Sequence, residues 1–332
     1  MNISNIKSKF PVFKKNPNLV FLDTAASALK VDEMIDATNN CYTNEYANIH
    51  RGNYELSANL TKKFEDARKK VASFLNVSQS NIIFVKSATE GVNLISHCMS
   101  KEYLKDGDEI ILSYLEHHAN LIPWHLTGKE IKIVPLGLNE ISEINYDELN
   151  DKINSKTKLI TLTHMSNVTG SITNIDNVKD IAKTNDIPLL LDGCQFAPHK
   201  KVDLKDIDPD FYVFSAHKLY GPSGLGVLYM KDHWIDRLDP YQGGGSMIKE
   251  VEITNSTYLN GFEKFEAGTP PIAQVIGLAA SIDFINEVGI KNIFEHENKL
   301  TNYTYDKLST LNDIEIYGNE KNKTSILSFN LK

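Results

Sequence analysis

Seven short apolar runs, spaced along the chain with helical stretches between them, constrain the fold more than any other feature of this sequence. Ile82-Val85, Glu109-Leu112, Ile131-Pro135, Leu159-Thr163, Pro188-Leu191, Phe211-Phe214 and Gly226-Met230 are rich in β-branched, leucine and aromatic residues, as buried strands are. Thr89-Leu104, Asp147-Lys152 and Ile175-Thr184 carry helical spacing instead. Strands that alternate with helices build a mainly parallel sheet covered by helices. Such sheets bind ligands beyond the carboxyl ends of their strands, so the polar residues that follow the apolar runs are the ones to examine. No repeat of solenoid length and no low-complexity linker interrupts the pattern. The abundance of asparagine, lysine and isoleucine is read as nucleotide bias.

Composition removes several classes of function. The 332 residues are 41% hydrophobic and carry a formal charge of −8, which leaves a large core and no basic face for nucleic acid. The amino terminus, Met1-Asn2-Ile3-Ser4-Asn5-Ile6-Lys7, has no signal-like apolar stretch, and no later segment approaches the roughly 20 apolar residues of a membrane span. A cytoplasmic enzyme without membrane contact is expected. The three cysteines, Cys41, Cys98 and Cys194, are scattered, so neither a disulfide framework nor a zinc site is expected.

Two strand ends carry chemistry. Lys218 follows the run Asp210-Phe211-Tyr212-Val213-Phe214 within Ser215-Ala216-His217-Lys218-Leu219-Tyr220-Gly221-Pro222, and Asp192 ends Ile187-Pro188-Leu189-Leu190-Leu191 ahead of Gly193-Cys194-Gln195. Taken singly, the lysine would be a solvated charge and the Asp-Gly pair a turn. Together they supply a Schiff-base amine and an acid that keeps a pyridinium nitrogen protonated, the pair that pyridoxal 5'-phosphate (PLP) requires. At Ala88-Thr89-Glu90-Gly91 a strand gives way to a helix, whose free N–H groups and dipole suit a phosphate. Thr89 reads equally as a helix N-cap and as a phosphate ligand. Among ten histidines, His117 and His118 stand just past the Glu109-Leu112 run. Adjacent histidines lack the i, i+4 spacing of a helical metal pair, so no metal is expected.

The ordered motifs carry a resemblance. Asp23-Thr24-Ala25-Ala26-Ser27-Ala28, His50-Arg51-Gly52, Ala88-Thr89-Glu90-Gly91, Glu116-His117-His118-Ala119-Asn120 and His164-Met165-Ser166-Asn167-Val168 come first. Asp192-Gly193-Cys194-Gln195, Ser215 to Pro222, Gly243-Gly244-Gly245-Ser246-Met247-Ile248 and Phe265-Glu266-Ala267-Gly268-Thr269-Pro270 follow. In these the chain resembles the class V, fold-type I PLP enzymes, most closely the SufS-type cysteine desulfurases. The Glu-His-His-Ala-Asn and Gly-Gly-Gly-Ser-Met-Ile segments favour that branch over its NifS/IscS relatives. The resemblance implies a seven-stranded, mainly parallel sheet in a large PLP-binding domain of residues 16–258. A smaller α/β domain would combine residues 1–15 with 259–332, joined through a helix at Pro271-Asn286.

The same resemblance implies roles. Lys218 would hold PLP and act as a base at the substrate Cα, and His117 would stack on the pyridine ring and move protons. Asp192 would pair with the ring nitrogen, Gln195 with the phenolic oxygen, and Asn167 would lie beside the ring. Thr89, Glu90, Ser215 and His217 fall at the phosphate, and Thr269 would reach it from a neighbouring subunit, which implies a homodimer. The implied reaction converts L-cysteine to L-alanine and passes sulfur as a persulfide to a SufE- or SufU-like acceptor for iron–sulfur cluster assembly. L-selenocysteine is the alternative substrate.

Departures from the family pattern qualify this reading. The sequence closes at Ser325-Ile326-Leu327-Ser328-Phe329-Asn330-Leu331-Lys332, within an alternating strand, ahead of where the family carries its loop cysteine and carboxylate-binding arginine. The expectation is therefore a desulfurase lacking its last segment, with a PLP-binding dimeric scaffold or another class V β-lyase as the alternatives. Cys194, where the family has alanine, is read as a small buried hydrophobe and not as a substitute nucleophile. Lys264 stands where arginine is common.

Overall fold

The computed structural model describes residues 3–318 and 323–332. Seven strands form its main sheet: β1 (Ile82–Val85), β2 (Glu109–Ser113), β3 (Lys132–Leu136), β4 (Thr157–Thr163), β5 (Leu189–Asp192), β6 (Phe211–Ser215) and β7 (Gly226–Met230). Their order is β1-β7-β6-β5-β4-β2-β3. The strands lie within a residue or two of the apolar runs, because a run buried on both faces has no polar alternation to blur its ends. Six longer helices lie among the described residues: α1 (Asp32–Asn40), α2 (Glu55–Leu75), α3 (Ala88–Glu102), α4 (Ile175–Thr184), α5 (Ile272–Val288) and α6 (Ile290–Ser309). This is the expected fold-type I architecture, a mostly parallel sheet with helical cover.

The chain divides into two compact units, Met1–Gly91 with Ser215–Gly289 and Val92–Phe214 with Ile290–Lys332. In the first unit β1 and β7 pair antiparallel, Val85 opposite Gly226. Leu60, Phe64, Ala67, Val71 and Leu75 recur at three- and four-residue intervals along α2 and are all buried. The helix stops at Asn76, whose left-handed backbone (φ 58°) closes it. α5 is largely apolar and packs against α1 and α2, with Asp283, Asn286 and Glu287 exposed toward its end. Its boundary matches the expected Pro271 helix start, with Pro271 at the cap.

The second unit holds the parallel strands β2 to β6, with Thr163 opposite Asp192 and Asp192 opposite Val213. That register sets the ends of β4 and β5 side by side at the carboxyl edge. Here too β10 (Ile314–Tyr317) and β11 (Ser328–Leu331) form an antiparallel pair, β8 (Ile248–Val251) and β9 (Ser256–Tyr258) being the hairpin of the first unit. His199 joins α6 to the sheet side through Glu297, with Nδ1 to carboxylate distances of 2.8 and 3.0 Å. No single helix among the described residues is long and apolar enough to cross a membrane.

Candidate active site

The first unit supplies an anion cradle made mostly of main chain. β1 runs out at Val85, and α3 starts at Ala88. Ser87 caps it, its hydroxyl accepting the Glu90 N–H at 3.2 Å, while the Glu90 carboxylate accepts the Lys86 N–H at 2.5 Å. This is a capping-box arrangement shifted by one residue. It corrects the N-cap reading of Thr89, which stands at the second helical position, and it commits the Glu90 carboxylate to the cap. The Ser215 hydroxyl accepts the Ala88 N–H at 2.9 Å, so the end of β6 and the start of α3 meet at one point. Gly226 is required there: a Cβ on it would lie 2.4 Å from the Ser87 carbonyl carbon. Backbone cannot yield to that as a flexible side chain would.

Lys218 closes a 3₁₀ turn, Ala216–Lys218, directly after β6. The turn is held from both sides. The His217 carbonyl accepts the Ala28 N–H at 3.1 Å and the Lys30 ammonium at 2.9 Å, and the His217 Nδ1 lies 3.1 Å from the Ser27 hydroxyl. Burial holds Lys30 down to about 8 and lowers His217, to which the charges of Lys218 and Lys30 add. A cleft of about 510 Å³ beside this segment is lined by residues including Phe21, Asp23, Ser27 and Lys30. Thr269 is exposed and follows Gly268, whose N–H donates to Gly245 at 2.8 Å.

The second unit supplies a side-chain cluster. Asp192, 5% exposed at the end of β5, accepts the Cys194 N–H at 3.0 Å. Among the described residues no cation pairs with it, and such a carboxylate suits a protonated ring nitrogen. Gly193 lets Tyr212 approach, for a Cβ there would lie 2.1 Å from the phenol. Gln195 is buried in the turn that follows, and Asn167 is half-buried in the turn after His164, where Ser166 accepts the N–H groups of Val168 and Thr169. His117 is exposed, and its Nδ1 accepts the Ala119 N–H at 3.1 Å, which leaves the proton of the neutral ring on Nε2. Neighbouring Glu116 is part-buried and accepts from Ser113 and Asn120, both at 2.6 Å. Burial of its carboxyl raises it to about 7 against those bonds, with the Asp192 charge adding to the rise. His164 stacks on Phe196 at 3.5 Å and is lowered by burial to about 3.

These residues fit PLP. Each unit offers its own part of what PLP needs: the first a helix start, two hydroxyls and a lysine, the second a buried carboxylate that no described cation pairs. No group of three or more His, Cys, Asp or Glu among the described residues is placed to hold a metal. One supporting pair escapes the sequence reading. Arg68, 1% exposed, donates to both oxygens of Glu266 at 2.7 and 2.9 Å, and Glu266 also accepts the Phe84 N–H at 2.7 Å. This ties β1 to the segment that carries Thr269. A signal existed: Arg68 is one of three arginines in a lysine-rich chain, and bidentate pairing is the task for which arginine has no equal substitute.

Comparison with known proteins accords with this arrangement. The aminotransferase class-V family model matches residues 20–332. A cysteine desulfurase of Wigglesworthia glossinidia brevipalpis is 41% identical over 99% of this chain and 82% of its own, and one of Shigella sonnei is 37% identical over 99% and 83%. Among solved structures, the Escherichia coli cysteine desulfurase CsdA superposes with a TM-score of 0.92 at 34% identity, over 100% of this chain and 83% of its own. The apo cysteine desulfurase of Thermococcus onnurineus gives 0.94 at 31%, over 99% and 82%. With family match, relatives and fold in agreement, the chain belongs to the class-V aminotransferases, a PLP-dependent family, and within them to the cysteine desulfurases.

Proposed function

We propose that this protein removes sulfur from L-cysteine with PLP, leaving L-alanine and placing the sulfur on a thiol as a persulfide. The equation balances without a redox partner: cysteine and a thiol give alanine and a persulfide. The observation that carries the reading is the buried, cation-free Asp192 at the end of β5 together with Lys218 in the turn after the neighbouring strand β6.

Bound PLP would supply an electron sink for the charge left at Cα. Lys218 anchors it and then carries the Cα proton, the work of a positioned amine base. Asp192 keeps a proton on the ring nitrogen. His117 covers the ring and handles protons, Gln195 donates to the phenolic oxygen, and Asn167 borders the ring. Thr89, Ser215 and His217 hold the phosphate, Glu90 orders the helix start by capping, and Thr269 serves the partner's phosphate in a homodimer. The division into a large domain of 16–258 and a smaller one of 1–15 with 259–332 belongs to the same reading. So do a SufE- or SufU-like sulfur acceptor, supply of sulfur to iron–sulfur clusters, and a place in the cytoplasm.

Lys218→Ala tests it. The variant should lose the visible absorption of the lysine-linked cofactor and all alanine production. A cofactor that borohydride still fixes to the variant at wild-type yield would overturn the assignment. Product analysis with L-cysteine and L-selenocysteine decides between desulfuration and selenocysteine lysis.

A further inference from the structure

Glu116 has no part in the chemistry above, yet it is the most heavily bonded side chain beside His117. Its Oε1 accepts the Ser113 hydroxyl and its Oε2 the Asn120 amide, both at 2.6 Å, with a further bond from the Thr163 backbone. Ser113 ends β2, Asn120 closes the turn His118–Asn120, and His117 stands between these two points as the turn's cap. Asn120 has no freedom to respond. Its Oδ1 takes the Thr161 hydroxyl at 2.6 Å, and its carbonyl takes the Trp124 indole N–H at 3.1 Å. Asn120 and Thr161 are both fully buried, so the amide NH₂ must face Glu116 and requires an acceptor there.

We propose that Glu116 is a positioning residue for His117, stapling both shoulders of its turn so that the imidazole keeps one orientation and its Nε2–H tautomer. The inference rests on the proposed role of His117. Glutamine does this work poorly: one orientation sets its NH₂ against the Asn120 NH₂, and the other makes the Ser113 hydroxyl, which already takes the Leu115 N–H at 3.2 Å, accept a second donor and lose the acceptor for its own proton.

The test uses the PLP-loaded full chain with ¹⁵N-labelled histidine at pH 8. In the wild type His117 should show the fixed Nε2–H pattern. In Glu116→Gln it should show averaged tautomers, with kcat lower by about 10- to 100-fold, the cost of an ångström-scale misplacement, and KM for cysteine changed less than about threefold. Glu116→Gln combined with Asn120→Asp exchanges donor and acceptor and should restore both the tautomer and most of kcat. A general packing role would not respond to that exchange.

The idea is overturned by averaged tautomers in the wild type, by a fixed tautomer with unchanged kcat in Glu116→Gln, or by a folded double variant that restores neither. If Glu116→Gln does not fold, Ser113→Ala removes one arm without a change of charge and is read by the same criteria. Absence of alanine from the wild type would sink the proposed function but leave the tautomer measurement readable.

Discussion

The cradle of the first unit and the cluster of the second are built from different materials, and they should therefore fail differently. At the start of α3 the structure relies on main chain: the Ala88 N–H on Ser215, the Ser87 cap, and a glycine where two backbone segments touch. Around Asp192 it relies on side chains with assigned donors, acceptors and protons: Glu116, Asn120, Thr161 and His164. Shape should govern the first region and protonation the second.

Adding bulk at the backbone contact gives the sharpest separation. Gly226→Val would push its Cβ against Ser87, where no side chain can move aside. Overpacking of this kind costs about 3 kcal/mol or more, a large part of a usual folding margin. Urea unfolding should show the loss at every pH, and a pH-dependent loss would break the comparison.

The second region should answer to pH. His164 is lowered to about 3 in the folded protein against 6.5 in the unfolded chain. The unfolded chain thus binds the extra proton first, and His164 costs stability progressively as pH falls from 6.5 toward 3. At pH 4.5 that cost is about 2 to 3 kcal/mol at 1.36 kcal/mol per unit. Unfolding of His164→Gln should lose that much less than the wild type between pH 7 and 4.5. Glu116 works in the opposite sense: raised to about 7, its protonated form favours the fold, and this contribution is lost as pH rises from 4.5 through 7. An equal acid loss in His164→Gln and wild type would remove His164 from the account.

The two regions also differ in how far they can be read from sequence. The seven strands are legible because each apolar run is short, continuous and set off by polar residues. The edges of the site are legible because Lys218, Asp192 and Ala88-Thr89 follow those runs directly. α2 is not among the helices read from the sequence, although its Leu60, Phe64, Ala67 and Val71 spacing carries the signal. What periodicity does not carry is pairing at a distance. Glu266 meets Arg68 from 198 positions away, and Thr161 fixes Asn120 from 41. A polar residue's partner is set by the packed sheet, not by its neighbours in the chain. Ser87 taking the cap from Thr89 is a smaller case, since two hydroxyls two residues apart fit the same local pattern.

That ambiguity leads to the mildest expected effect. The proposed phosphate role of Thr89 predicts that Thr89→Ala weakens PLP binding by about tenfold, near the 1 to 1.5 kcal/mol of one hydrogen bond. Its effect on the stability of the cofactor-free protein should be the smaller one. Ser87→Ala should do the reverse, costing about 1 kcal/mol of stability through the lost cap. Equilibrium dialysis with PLP, alongside unfolding of the apoprotein, reads both variants. If Thr89→Ala destabilised the apoprotein while leaving PLP affinity intact, the two hydroxyls would have to exchange roles, and the cradle would rest on a side chain after all.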